Sequence, residues 1–362
     1  MTRQEIPTPA FLIDVPAMER NIARMARFFA GTPCALRPHF KAHKTPEIAR
    51  RQLAAGSCSG LTCATVSEAE IAAAFCADLL IANEVIGPDK CARVAALATS
   101  VTVTVAVDSR TGLVQLSEAA RAAGVTVGVL VDVNVGQDRC GVTPGDAVVA
   151  LAREVAAAPG VTLRGVMGYE GHLQALRDHA ERQERATGAM RTLVAAAESV
   201  RAAGLTCDVV SGGGTGTFDL SGVVPGVTEI QAGSYVLMDT DYAAVGVPFE
   251  HACSVLGTIV SRGAANRCVA DCGHKSMTRD HGLPAVATIA GATVVSLNDE
   301  HAIIELPPGT DVKVGDRIEL RPSHIDPTIN LHDACYAMDG DQVVGIWPVA
   351  ARGYAEARQK TM

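Results

Sequence analysis

From residue 35 to residue 235 short β-branched runs alternate with longer Ala-rich stretches, the pattern of βα units around a parallel sheet. The runs predict eight strands, at Ala35–Phe40, Gly60–Cys63, Leu79–Ala82, Val101–Val107, Thr126–Val133, Leu163–Met167, Asp208–Ser211 and Glu229–Ala232. Helices are expected between them at Pro46–Ala55, Ser67–Ala77, Pro88–Ala98, Ser109–Ala123, Pro144–Ala157 and Leu176–Ala203, several opening with Ser or Pro at the start position. Eight strands with helical crossovers favour a closed α/β fold, a (β/α)8 TIM-type barrel, over an open doubly wound sheet.

After about residue 248 strands follow one another without helices: Ser254–Ser261, Ala285–Leu297, Ala302–Leu306 and Arg317–Leu320, broken by Gly, Asn and Pro turns. The division expected is a barrel over 10–247 and a second, β-rich domain made of 1–9 and 248–362. The segment Ala10–Asp14 reads as a lone strand followed by a helix over Pro16–Phe29, and it is a candidate to pair with the C-terminal sheet.

Composition narrows the function classes. A net charge of −8 without a dense Lys/Arg run is repelled by a phosphate backbone, so no nucleic-acid partner is expected. No apolar run reaches the roughly 18 residues of a membrane helix, and Met1–Pro9 lacks a basic-then-apolar signal pattern; the expectation is a cytoplasmic protein. The eleven cysteines include no C-x-x-C pair and read as small, reduced core residues.

Barrel active sites form where strands end. The first strand closes on Arg37-Pro38-His39-Phe40-Lys41-Ala42-His43-Lys44. A lysine at a strand's mouth suits Schiff-base chemistry, because burial there lowers its pKa and frees the amine; a solvated basic loop would carry the same residues. The seventh strand runs into Ser211-Gly212-Gly213-Gly214-Thr215-Gly216 and the eighth into Gln231-Ala232-Gly233-Ser234-Tyr235. Glycines exposing N–H groups beside hydroxyls after strands seven and eight are what a phosphate needs.

Together with Asp138-Arg139-Cys140-Gly141-Val142, these runs resemble the D-threonine aldolase and D-serine dehydratase group of alanine-racemase-like, fold type III pyridoxal 5'-phosphate (PLP) enzymes. The likeness spans nearly the whole chain. It implies Lys41 as the Schiff-base lysine, Arg139 on the cofactor's phenolic oxygen, and Thr215, Gly233 and Ser234 on its phosphate. Tyr235 would lie near the phosphate, although packing alone explains a tyrosine there. Tyr169 falls where the group sets a ring beside the cofactor, and His39, two residues before the lysine, is read as support for the site. Gln231 takes the place by the pyridine nitrogen where alanine racemases have an arginine, leaving the ring's charge state open.

The second domain separates the possible reactions. No counterpart of the racemases' catalytic tyrosine is evident, and Pro322-Ser323-His324-Ile325-Asp326 offers a His and an Asp two apart, which on an extended segment project to one side as two metal ligands would. A hydrogen-bonded turn is the plain alternative. In the resembling group the pair is His-x-Cys in zinc dehydratases and His-x-Asp in aldolases, so Asp326 implies an aldolase with a divalent metal, Mn or Mg rather than Zn. The reaction implied is retro-aldol cleavage of a D-3-hydroxy-α-amino acid, D-threonine-like, to glycine and an aldehyde, with His39, His43, His172 or metal-bound water taking the hydroxyl proton. His274 and His301 read as structural or interface residues, and Asp271 as a cap or orienting group for the loop that carries His274. The rivals are a D-serine or 3-hydroxyaspartate dehydratase, a racemase of the same fold, and a non-catalytic PLP-binding regulator, which resembles the barrel alone. The group also implies a homodimer.

Overall fold

The computed structural model describes residues 1–353; the last part of the expected β-rich domain, 354–362, lies outside the described residues. The chain divides into two compact units. One comprises 25–41 and 48–233, the other 1–24, 42–47 and 234–362.

The strands in chain order begin with β1 (Ala10–Asp14), followed by β2 (Ala35–Leu36), β3 (Leu61–Cys63), β4 (Asp78–Glu84), β5 (Thr102–Val107), β6 (Val127–Asp132), β7 (Val161–Gly168), β8 (Val209–Gly212) and β9 (Glu229–Ile230). β2 to β9 form one all-parallel sheet in the order β2-β9-β8-β7-β6-β5-β4-β3. Its ends meet through parallel bridges Leu36–Cys58 and His39–Thr62 and the bond from the Thr62 N–H to Pro38 O at 2.8 Å. This is the expected eight-stranded barrel. Its strands are buried runs such as Val127, Val129, Leu130 and Val131, each at most 1% exposed, as covered parallel strands require.

Helices fill the crossovers. Thr65 and Ser109 cap helices Val66–Ala72 and Arg110–Ala123 by accepting the N–H of Glu68 and Gly112, and Asp178 caps His179–Ala202, which satisfies amides that the first helical turn leaves orphaned.

Two expected strands are shorter. β2 stops at Leu36 instead of Phe40 and β9 at Ile230 instead of Ala232. Pro38 has no N–H to give the ladder, and Phe40–Ala42 turns into a 3-10 helix.

The remaining strands are β10 (Cys253–Ala264), β11 (Arg267–Ala270), β12 (Ala285–Val286), β13 (Thr293–Leu297), β14 (Ala302–Glu305), β15 (Arg317–Arg321), β16 (Ala334–Asp339) and β17 (Gln342–Pro348). They form a sheet in the order β11-β14-β13-β12-β15-β10-β1-β16-β17, with β11 also pairing β10. Six strands thus close on themselves, and β1, β16 and β17 extend them. β1 joins this sheet, antiparallel to β10 and parallel to β16, as its sequence allowed. The expected single strand Ala285–Leu297 is split in two, with Gly291 at φ +77° between them. Helices Thr240–Val245 and Ile325–Ile329 interrupt the strand-rich pattern.

Nine of the eleven cysteines are buried and all are free thiols, the small-core role expected. Burial pushes Cys34, Cys58, Cys272 and Cys335 up to about 12, so these sulfurs are protonated and unreactive near neutral pH. No helix among the described residues is long and apolar enough to cross a membrane.

Candidate active site

Lys41 sits half-buried in the Phe40–Ala42 turn. Phe40 is fully buried against Phe75, ring centroids 6.1 Å apart, which pins that turn at the mouth of the barrel. His39, 9% exposed, is held by its backbone: its N–H donates to Ala232 O at 3.0 Å.

β6 leads into the loop carrying Arg139. Asn134 knits this loop, its Oδ1 accepting the N–H groups of Gly136 and Asp138 and its Nδ2 donating to Asp138 Oδ1. Asp138 is left-handed at φ +56°, and a Cβ on Gly141 would fall 2.6 Å from Asn134 N, so glycine is required there. The loop presents Arg139 exposed, its guanidinium 5.8 Å from the centroid of the Tyr169 ring. His172 is exposed and lies against the same loop: a Cβ on Gly136 would be 3.5 Å from its Cε1.

Below Arg139 three carboxylates from the ends of β4, β5 and β6 converge. Ligand atoms of Glu84, Asp108 and Cys140 lie within 4.8 Å of one another, and Asp108 accepts the Gly141 N–H at 3.3 Å. Burial, the Glu84 charge and a hydrogen bond with Glu84 push Asp132 up to about 8, against the pull of Arg139. Asp132 is therefore a neutral acid at pH 7. Sequence inspection missed this cluster, because its members are scattered over three strand ends.

The glycine-rich loop after β8 departs from the sequence picture in one respect. The amides of Gly213, Gly214 and Gly216 are spent inside the protein, on Glu170 Oε2 (3.2 Å), Thr217 Oγ1 (3.3 Å) and Gln174 Oε1 (2.8 Å). A Cβ on Gly216 would stand 2.1 Å from Gln174 O, and one on Gly214 2.6 Å from Gln174 Oε1. The glycines thus serve close approach to Gln174, with Thr215 buried at the centre of the loop. Gln231 donates from Nε2 to Ser211 Oγ at 2.8 Å, and Gly233 is buried.

In the strand-rich unit, Ser234 Oγ donates to Asp326 Oδ1 at 3.2 Å, bringing together an expected phosphate ligand and an expected metal ligand. Tyr235 is fully buried, its ring 5.4 Å from Phe249. His324 and Asp326 do not lie on an extended segment as expected. His324 is the N-cap of helix Ile325–Ile329 and Asp326 is in its first turn, where Pro327 is tolerated. Asp239, 1% exposed, accepts the N–H of Ile325 at 3.0 Å and of Tyr242 at 2.9 Å.

His324 Nδ1 is 2.6 Å from Asp280 Oδ2, and its ring stacks on His281 with centroids 4.1 Å apart; His281 Nδ1 in turn meets Asp241 at 2.8 Å. Partial burial would raise the Asp280 pKa, but hydrogen bonds from Thr278 and His324 outweigh it and hold it below the usual carboxylate range. With Nδ1 engaged by Asp280, Nε2 is the ring nitrogen that faces away from that carboxylate. Asp280 and His281 were not found in the sequence, since they lie far from His324 along the chain. His43 is buried with Nδ1 accepting the Thr45 N–H at 3.2 Å, a turn-stabilising contact. Asp271 accepts the N–H of Thr258 and the hydroxyl of Thr8, tying its loop to β10 and to the segment before β1.

The donor types fit the groups the sequence implied. A half-buried lysine, an exposed arginine by a tyrosine ring and a buried Thr/Gly loop suit PLP, and an imidazole with a free Nε2 direction plus a carboxylate suits a divalent ion.

Comparison with known proteins adds lineage. Residues 13–241 match the alanine racemase N-terminal domain, and 252–338 match the putative serine dehydratase domain. The chain is 40% identical over 356 residues to a D-threonine aldolase of Arthrobacter sp, covering 97% of this chain and 94% of that one. It is 35% identical over 364 residues to a 3-hydroxy-D-aspartate aldolase of Paracoccus denitrificans strain Pd 1222, covering 98% and 94%. The crystal structure of D-threonine aldolase from Filomicrobium marinum superposes with a TM-score of 0.94 at 39% identity, over 98% of this chain and 97% of that one. With barrel, strand-rich unit and full-length similarity in agreement, the chain belongs to the D-threonine aldolase and 3-hydroxy-D-aspartate aldolase branch of the alanine-racemase-fold PLP enzymes.

Proposed function

We propose that the protein is a PLP- and divalent-metal-dependent lyase that cleaves D-3-hydroxy-α-amino acids to glycine and an aldehyde. The observation that carries the aldolase reading over the dehydratase is the donor set at 324 and 326: an imidazole set by Asp280 and a hard carboxylate, with no thiolate in the motif. A non-catalytic regulator has no use for that set, nor for the strand-rich unit that carries it.

Bound PLP supplies the electron sink for the charge left at Cα, and a bound divalent ion lowers the pKa of the β-hydroxyl. The protein's share is positional. Lys41 is the residue that would hold the cofactor through its aldehyde carbon, its half-buried amine lying in the turn at the mouth of the barrel. Arg139 would donate to the phenolic oxygen, Tyr169 would flank the ring, and Thr215, Gly233 and Ser234 would hold the phosphate. His324 and Asp326 are the residues that would hold the ion. His39 or His172 accepts the β-hydroxyl proton; the Cα–Cβ bond then breaks, the aldehyde leaves, and a proton returned to Cα gives glycine. Mn or Mg is the ion this oxygen-and-imidazole set prefers. A cytoplasmic homodimer completes the reading, and sedimentation of the purified protein tests the assembly.

The deciding assay offers D-threonine, D-phenylserine and 3-hydroxy-D-aspartate with and without metal. Glycine plus aldehyde in equal amounts, lost on chelation, is expected. Ammonia plus ketoacid would identify a dehydratase, and turnover surviving exhaustive chelation would point to a racemase.

A further inference from the structure

We propose that Glu170, with Gln174, is a positioning residue that pre-forms the Gly213–Thr217 loop for the cofactor's phosphate and thereby sets how much the phosphate contributes to cofactor retention. The proposal rests on the reading of that loop as the phosphate site.

Glu170 lies in the loop after β7 and is 0% exposed. Its Oε1 accepts from Thr217 Oγ1 at 2.6 Å and Ser221 Oγ at 2.7 Å, and its Oε2 accepts from the Gly213 N–H at 3.2 Å. Among the described residues these partners are all neutral donors. A fully buried carboxylate without a cation is costly unless its lone pairs are met, and here they are met by Gly213 and Thr217 of the loop and by Ser221 just beyond it. Gln174, 4% exposed, supplies the other side, accepting the Gly216 N–H and donating from Nε2 to Thr217 Oγ1 at 2.9 Å. Thr217 Oγ1 therefore donates once and accepts from Gln174 and from Gly214.

The choice of a carboxylate has a consequence for direction. It only accepts, so Gly213, Thr217 and Ser221 must all point their hydrogens at it. An amide at 170 would set an NH2 against one of these donors. With both hydroxyl rotors and three amides fixed, the loop backbone around Thr215 has one conformation before the cofactor arrives, and the phosphate is bound without the cost of ordering it. Glycine at 214 and 216 follows from the same device, because Gln174 occupies the space of their Cβ atoms.

The test compares PLP with pyridoxal, which forms the same Schiff base but has no phosphate. Full-length apoprotein is titrated with each and the visible absorbance of the Schiff base gives two dissociation constants. For Glu170→Gln the PLP constant should rise by about tenfold or more, as for loss of a charge-assisted hydrogen-bond network, while that for pyridoxal stays within about twofold. Equal weakening of both ligands, or unchanged PLP binding, overturns the proposal. Thr215→Ala separates it from the reading beneath: if that variant also keeps full preference for PLP over pyridoxal, the loop is not the phosphate site. If Thr215→Ala loses the preference and Glu170→Gln keeps it, only the positioning role fails. Ser221→Ala removes one donor and should give a smaller change of the same sign, which decides the matter should Glu170→Gln not fold; no change in its PLP-to-pyridoxal ratio would count against the proposal.

Discussion

In the proposed function His324 and Asp326 supply the metal donors, and Asp280 fixes the ring of His324 through Nδ1. Asp326→Ala, or EDTA, is expected to abolish aldehyde release while the visible Schiff-base band remains, whereas Lys41→Ala removes the band; absorbance and aldehyde assays on the same samples read both. Asp280 holds His324 by Nδ1, and loss of such an orienting carboxylate typically weakens metal binding about 10–100-fold. Asp280→Asn should therefore raise the Mn dissociation constant within that range, measured by electron paramagnetic resonance of free Mn, with the PLP band unchanged. The sequence displayed the two proposed ligands because they sit two apart. Asp280 and its stacked neighbour His281 were hidden, since only tertiary packing brings them to His324.

Among the elements, the residue that follows β2 ties β4 and β9 together through a buried guanidinium. Arg37, 4% exposed, donates from Nε to Glu229 at 2.8 Å and from Nη1 to Asp78 at 2.9 Å, and Ser59 Oγ also donates to Glu229 at 2.9 Å. Breaking a buried pair leaves an uncompensated charge and costs about 3–5 kcal/mol. Glu229→Ala is expected to lower unfolding stability by that order in a urea titration, and replacing an exposed partner such as Glu181 of the Arg185 pair should cost less than about 1 kcal/mol. Strand number and order of alternation were readable from β-branched runs. The short β2 and β9 were not, because their ladders end where Pro38 and the Phe40–Ala42 turn intervene. Nor was the helix at Ile325–Ile329, whose five residues show no periodicity but are held by Asp239 from another element.

For the molecule as a whole, buried acids make stability depend on pH. Asp132 titrates near 8 when folded against an ordinary 3.8. The folded state therefore binds more protons than the unfolded one between these values, and stability present at low pH is lost as pH rises toward 8. Asp239, raised to about 6 by burial, acts in the same sense below that pH, and His251, depressed to about 4 by burial and Arg321, acts in the opposite sense up to its ordinary 6.5. Between pH 6.5 and 8 Asp132 stands alone among the three. Denaturation across that window should show stability falling by at most about 1.4 kcal/mol per pH unit, and Asp132→Asn should flatten the slope; an unchanged slope would show that Asp132 is ionised in the folded protein.

The sequence alone determined the barrel, the strand-rich unit, the family and the residue types at Lys41, Arg139, His324 and Asp326, because hydrophobic period and short local motifs are properties of neighbouring positions. Tertiary structure decided the rest. Glu170 meets its loop 43 to 51 residues away, Asp280 meets His324 across 44, and Asp132 meets Glu84 from another strand. Hydrogen bonds and charge interactions act over a few ångströms in space whatever the separation along the chain, so the groups that orient the site become visible only once the barrel and the sheet have closed.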